Sequence, residues 1–177
     1  SVYAECGNRP VVGFDMGGTS TDVSRYGGEY EWSYENEIAG VPVQVPQLNI
    51  VTVASGGGSR LFFENGIFRV GPESSGAYPG PVCYRNNGPL SLTDANLILG
   101  RLPNFPKVLG ENGNQSPDKE KTEKAFVEVA ENLFTATGQK KSLEEIAFGF
   151  IEVANENMVR PIHEISTAKG FDIREHV

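Results

Sequence analysis

Glycine and proline are spread so unevenly along the 177 residues that the chain cannot have one texture throughout. Residues 1–110 hold 17 of the 21 Gly and 9 of the 11 Pro, and Lys107 is their only lysine. Residues 111–177 hold the other 4 Gly and 2 Pro, among 8 basic and 13 acidic side chains. Both residue types interrupt helices and supply turns. Residues 1–110 are therefore expected to be a β- and loop-rich part and residues 111–177 a helical part. Together they make one domain over 1–177, a length that buries roughly 70% of its unfolded surface.

Within the first part, Pro10 to Met16 is an apolar run that stops at Gly17-Gly18. Thr21 to Tyr26 follows, and Gly27-Gly28 predicts a turn into Glu29 to Tyr34. There Tyr30, Trp32 and Tyr34 alternate with polar residues, which suits a packed strand face or, if exposed, a partner surface. Val41, Val43 and Val45 alternate too, and Pro42 and Pro46 place them at a sheet edge or outside it. Leu48 to Ala54 runs into Gly56-Gly57-Gly58, and a hairpin is predicted around Glu64-Asn65-Gly66. Residues 71–90 read as a long ordered loop, and Ser91 to Leu102 as a short helix capped by Thr93.

The second part announces its helices. Ser116-Pro117-Asp118 gives a cap, a proline for the first position and an acid for the first turn, and Gly138 a stop. Ser142 and Glu145 form a capping box for the next helix, which Pro161 should kink and Gly170 should end. Ile173 to Val177 begins an element that the chain does not finish.

A net charge of −8 argues against a nucleic-acid backbone as partner. No run reaches the ~18 apolar residues of a membrane span, and Cys6 and Cys83 alone cannot make a disulfide framework. A reducing, cytoplasmic setting is expected. His163 and His176 have no ligand-spaced neighbours for zinc, and there is no G-x-S-x-G elbow.

The densest chemistry lies in Asp15-Met16-Gly17-Gly18-Thr19-Ser20-Thr21-Asp22. Glycines let phosphate oxygens approach backbone N–H groups, and Thr19, Ser20 and Thr21 add hydroxyls. A carboxylate at Asp15 would repel bare phosphate, so it implies an intervening Mg²⁺ or its water shell. A Gly-Gly turn alone would be only a hairpin; six constrained positions in eight specify more. Gly56, Gly57, Gly58 and Ser59 offer either a second backbone cradle, for phosphate or a substrate carbonyl, or a plain turn; without GK[ST] they are no Walker A loop. Residues 71–84 line a pocket through Glu73, Ser74 and Ser75, or form a structural loop. Cys83 reads as a small buried hydrophobe, and Asp94 as an acid at a helix start.

The Asp-x-Gly-Gly-Thr-x-Thr-Asp pattern resembles the phosphate hairpin of the actin, sugar-kinase and heat-shock ATPase superfamily, in the form used by the hydantoinase A / 5-oxoprolinase family. Ser55 to Ser59, Val70 to Tyr84, Leu92 to Leu102 and Asn155 to Met158 are similar to further motifs of that family, so the resemblance covers residues 10–177. It implies an α/β fold, a mixed sheet with packed helices forming the second ATPase-like lobe of a longer chain. It also implies ATP and Mg²⁺ as cofactors and a small cyclic amide as substrate. Eukaryotic-type members open 5-oxo-L-proline to L-glutamate, phosphorylating the lactam oxygen before water attacks. On this basis Gly17, Gly18, Thr19, Ser20 and Thr21 would contact phosphate. Asp15 would hold the metal, Asp22 would fix the hairpin or the metal's surroundings, and Gly56–Ser59 would complete the site. Other lobes of the chain are the implied partners, with a homodimer among the possible assemblies. Hydantoin-opening and ketone-carboxylating relatives share these loops, and a non-catalytic nucleotide-binding or interaction module is the alternative.

Overall fold

A computed structural model describes residues 2–34, 36–38 and 41–177. The elements are α1 (Val2–Glu5), β1 (Val11–Met16), β2 (Thr21–Tyr26), β3 (Trp32–Ser33), β4 (Asn36–Ile38), β5 (Val41–Val43), β6 (Gln47–Leu48), β7 (Ile50–Val53), β8 (Ser59–Glu64), β9 (Ile67–Ser74), α2 (Leu92–Ile98), α3 (Lys119–Thr137) and α4 (Leu143–Ile165). The architecture is α/β. Every named strand precedes Ser75, and both long helices follow Asp118. The chain packs as two compact units. One comprises residues 1–15, 21–53 and 158–177; the other comprises 16–20 and 54–157.

In the first unit β2 lies between β1 and β7, and it is antiparallel to β7, with Thr21 opposite Val53 and Asp22 opposite Thr52. β3 pairs with β6, and β4 with β5, both antiparallel. The edge expectation rested on Pro42 and Pro46; the side chains of Pro42 and Val43 lie outside the described residues, and Pro46 lies outside the strands. The Gly27-Gly28 turn forms, closed by a bridge between Tyr26 and Tyr30. The aromatic face beyond it is not packed: Tyr30, Trp32 and Tyr34 are all more than half exposed. Tyr30 and Trp32 meet edge-on at 6.4 Å, with their outer faces left to solvent.

Behind the turn, Arg25 is nearly buried. Its Nη1 bonds Glu31 Oε1 at 2.6 Å, its Nε donates to His176 Nε2 at 2.7 Å, and its guanidinium lies 3.4 Å over the Phe171 ring. Lys169 and Asn49 also donate to Glu31 Oε2. Burial pushes the Glu31 carboxyl up, but the bonds from Arg25, Lys169 and Asn49 outweigh it and hold the group below its ordinary value. A lowered carboxylate contributes stability above its unfolded value and loses it as pH falls through the folded one. Denaturation of wild type and Glu31→Gln should therefore show a constant gap at neutral pH that narrows once pH drops below about 4. A gap that widens in acid would contradict this network.

The second unit is built around helix-borne aromatics. Phe126 on α3 and Phe150 on α4 are fully buried, and Phe68 of β9 meets Phe150 edge-on at 4.7 Å. β8 and β9 form a hairpin on the two-residue turn Asn65-Gly66, whose φ values of 53° and 79° are the left-handed pair that a tight hairpin requires.

Three caps differ from the sequence expectation. Asp118, not Ser116, caps α3, because its carboxylate accepts the Lys121 N–H. Ser91, not Thr93, precedes α2, with the Asp94 carboxylate returning to its N–H. Gly170 ends a 3₁₀ turn over Thr167–Lys169, since α4 has stopped at Ile165. Gly138 and the Ser142–Glu145 box sit where the sequence put them. Pro161 lies inside α4. Among the described residues no helix is long and apolar enough to cross a membrane.

Candidate phosphate site

β1 ends in a tight turn, closed where the Gly17 N–H donates to the Ser20 carbonyl at 2.8 Å. Neither Gly17 nor Gly18 has a positive φ, so conformational freedom is not why glycine stands there. A methyl group placed on Gly18 would meet no atom within 4 Å. The space beside the turn is open, and the backbone N–H groups of Gly18 and Thr19 have no hydrogen-bond acceptor among the described residues. Unpaired amides beside a vacant, exposed surface are what an incoming anion needs.

The glycine triplet holds this turn from behind. Gly57 N–H donates to Gly17 O at 3.0 Å and Gly58 N–H to Gly18 O at 2.7 Å. Gly56 N–H donates to Ser59 Oγ, and Ser59 N–H returns to Gly56 O, both at 3.0 Å. All four amides are thus used within the protein, which corrects the expectation that Gly56, Gly57, Gly58 and Ser59 present a second cradle. Their glycines serve close approach instead: a Cβ on Gly56 would lie 2.7 Å from Gly17 O and 2.8 Å from Thr19 N.

Other predicted residues separate by role. Thr21 is fully buried, with its hydroxyl turned to Met158 Sδ at 3.8 Å, so it is withdrawn from any phosphate. Asp22 accepts the Thr52 hydroxyl of its cross-strand partner at 2.6 Å and so fixes the β2–β7 pairing. Asp15, on β1 in the first unit, is exposed, and its side chain makes no hydrogen bond or ion pair among the described residues. Ser20 is half-buried and contributes the carbonyl that closes the turn.

The 71–90 segment is less loop than expected. β9 continues through Gly71-Pro72 to Ser74, and Val82–Tyr84 form a 3₁₀ turn. Asp94 holds this turn: its carboxylate accepts from Val82 N at 3.1 Å, Cys83 N at 2.9 Å, and Ser91 N and Oγ at 2.9 and 3.1 Å. Asp94 is therefore a structural group. An Asn cannot accept at both side-chain atoms, and at least one buried N–H would lose its partner. Asp94→Asn should lower unfolding free energy by about 1–3 kcal/mol, read by denaturant titration; an unchanged midpoint would exclude this role. Burial, followed by the Asp94 carboxylate, pushes the Cys83 thiol well above its ordinary range, which leaves it unreactive near neutrality.

Two hydroxyls that the sequence reading named for other roles, Thr93 as a helix cap and Ser74 as a pocket-lining group, bond the turn and its support. Thr93 donates both its N–H and its Oγ–H to Gly57 O, at 2.8 and 2.9 Å, anchoring the triplet to α2. Ser74 reaches the turn itself, although its segment carried only the general signal of polar groups among glycines. Among the described residues no group of three or more His, Cys, Asp or Glu is placed to hold a metal. The cleft lined by Arg25, Glu31, Trp32, Lys169 and Phe171 contains none of the predicted site residues.

The family model described as Hydantoinase/oxoprolinase matches residues 1–177. The chain is 56% identical over 179 residues to 5-oxoprolinase of Dictyostelium discoideum, covering 98% of this chain and 14% of that one. It is 52% identical over 176 residues to 5-oxoprolinase 1 of Arabidopsis thaliana, covering 95% and 14%. The crystal structure of the ATP-dependent caprolactamase from Pseudomonas jessenii matches with a TM-score of 0.82 at 34% identity, over 99% of this chain and 25% of that one. The chain therefore spans about 14% of the length of these curated relatives.

Proposed function

The chain belongs to the hydantoinase/oxoprolinase family, and from that premise we propose that it is the phosphate-holding segment of an ATP-dependent enzyme that opens 5-oxo-L-proline to L-glutamate. The observation that carries this reading is the turn at Gly17–Ser20, with unpaired N–H groups at Gly18 and Thr19 facing open space. Relatives named 5-oxoprolinase at 52–56% identity favour the five-membered lactam over a caprolactam ring. The rest of a longer chain would supply the remainder of the site.

A lactam carbonyl is a poor electrophile. Transfer of the γ-phosphoryl of ATP to the lactam oxygen forms an O–P bond, breaks the β–γ bridge and releases ADP. Water then adds to the activated carbon, the ring C–N bond breaks, and phosphate leaves. Phosphoryl transfer is mostly positioning and charge neutralisation, which backbone amides on a clamped turn provide without a lysine. In this reading Gly18 and Thr19 N–H groups hold phosphoryl oxygens, and Gly57 and Gly58 keep those amides aimed.

Mg²⁺ usually keeps several waters and takes only one or two carboxylates alongside phosphate oxygens. Asp15, exposed and unpaired, fits that requirement. When bound, the ion neutralises charge on the transferring group.

The test is a substrate panel on the full-length protein. ATP consumption should rise with 5-oxo-L-proline and yield glutamate, and respond far less to hydantoin or caprolactam. ATP consumption indifferent to 5-oxo-L-proline would reject this assignment.

A further inference from the structure

The β8–β9 hairpin does not run in one register. Leu61 faces Val70 and Glu64 faces Ile67, a register that would carry Ser59 to Pro72; instead Ser59 faces Ser74. Two additional residues on β9 are absorbed between these pairs. Such bulges re-aim a side chain and cluster beside active sites. Here the bulge delivers Ser74 to the back of the Gly17–Ser20 turn.

Three contacts converge on the Ser74 hydroxyl. It accepts the Gly76 N–H at 3.0 Å, donates to Gly18 O at 3.4 Å, and lies 3.5 Å from the Thr19 hydroxyl, which donates to it. Gly58 makes room for this arrangement, since a Cβ there would stand 2.6 Å from Ser74 Oγ and 2.9 Å from Gly18 O. The next residue closes the ladder, with Ser75 N–H on Gly58 O at 2.7 Å. The turn is therefore braced through its main chain by Gly57 and Gly58, and through a side chain by Ser74.

We propose that Ser74 is a positioning residue: its hydroxyl, placed by the β9 bulge, fixes Thr19 and the Gly18 peptide so that their N–H groups meet the phosphoryl group together. It acts through Thr19 and Gly18 and does not touch the reacting atoms. This rests on the nucleotide reading above. With Gly76 N–H and Thr19 Oγ–H directed at it and its own proton on Gly18 O, the Ser74 oxygen has its donors and acceptor filled. Alanine there would remove the side-chain brace and leave Gly18 O to the Gly58 N–H alone.

The experiment uses the full-length protein, with Mg-ATP affinity by calorimetry and steady-state kinetics with 5-oxo-L-proline. Ser74→Ala should lower kcat about tenfold, with a smaller change in the KM for 5-oxo-L-proline and an unchanged thermal midpoint. Thr19→Val removes the same contact from the other side, and in that background Ser74→Ala should add less than about twofold. Ser74→Thr, which keeps the hydroxyl, should recover most of the turnover. The proposal is overturned if Ser74→Ala stays within about twofold of wild type, or if its effect is equally large without the Thr19 hydroxyl. Failure of the unsubstituted protein to bind Mg-ATP would be a different result, rejecting the nucleotide reading and the proposal with it.

Discussion

Replacing Asp15 by Asn in the full-length protein is expected to lower ATP-coupled turnover about 10²–10³-fold, the effect of removing one preorganised electrostatic group. The substitution keeps shape and removes charge. Asp15 is exposed near the end of β1 and its side chain makes no hydrogen bond or ion pair among the described residues, so the fold does not depend on its carboxylate. Thermal stability should therefore match wild type while turnover collapses. That combination separates a functional carboxylate from one that merely fixes a strand end. Coupled-assay rates give the turnover and scanning calorimetry gives the stability. Wild-type turnover in Asp15→Asn would remove this residue from the metal role.

Gly56→Ala should fail differently. The added methyl would lie 2.7 Å from Gly17 O and 2.8 Å from Gly18 C and Thr19 N, all main-chain atoms that cannot rotate away. Either the turn or the triplet must move, and overpacking of this kind costs about 1–3 kcal/mol of stability. Displacing the N–H groups by a fraction of an ångström should also weaken Mg-ATP handling about 10²-fold. Gly18→Ala is the contrast. Its methyl meets nothing in the protein, and Gly18 does not occupy the left-handed region. Stability should stay near wild type, yet nucleotide binding should fall because the methyl fills the space left for the ligand. Equal binding by Gly18→Ala and wild type would argue that the vacant space is not a ligand site.

These expectations show where the sequence was readable. The β1–β2 turn was legible because an apolar run, two glycines and flanking acids are local signals. The Asn65-Gly66 turn and the Ser142–Glu145 box were legible for the same reason. The part played by Gly56–Ser59 was not. Whether an amide is free for a ligand depends on where its N–H is directed, and Gly57 finds its acceptor forty residues earlier, on Gly17. No local pattern carries that information. Thr21 looked like a phosphate hydroxyl from its neighbours, but strand alternation turns it inward, onto Met158. The Ser91–Asp94 pair was written in the sequence as a cap followed three residues later by an acid, and the adjacent Thr93 obscured it. Tyr30, Trp32 and Tyr34 have a strand's period, yet period alone does not say whether anything covers the strand.

The bonds behind the turn also set an order of assembly. Gly18 is tied to Gly58, and Gly58 in turn to Ser75, so a shape formed at residues 17–20 is completed by partners forty and more positions downstream. A ribosome that has released only the first hairpin has delivered the glycines without the geometry. Closing so long a loop must precede the contacts that reward it. The turn at residues 17–20 is thus completed only after residues 57, 58 and 75 have joined it, and it arrives already backed by the strand that braces it.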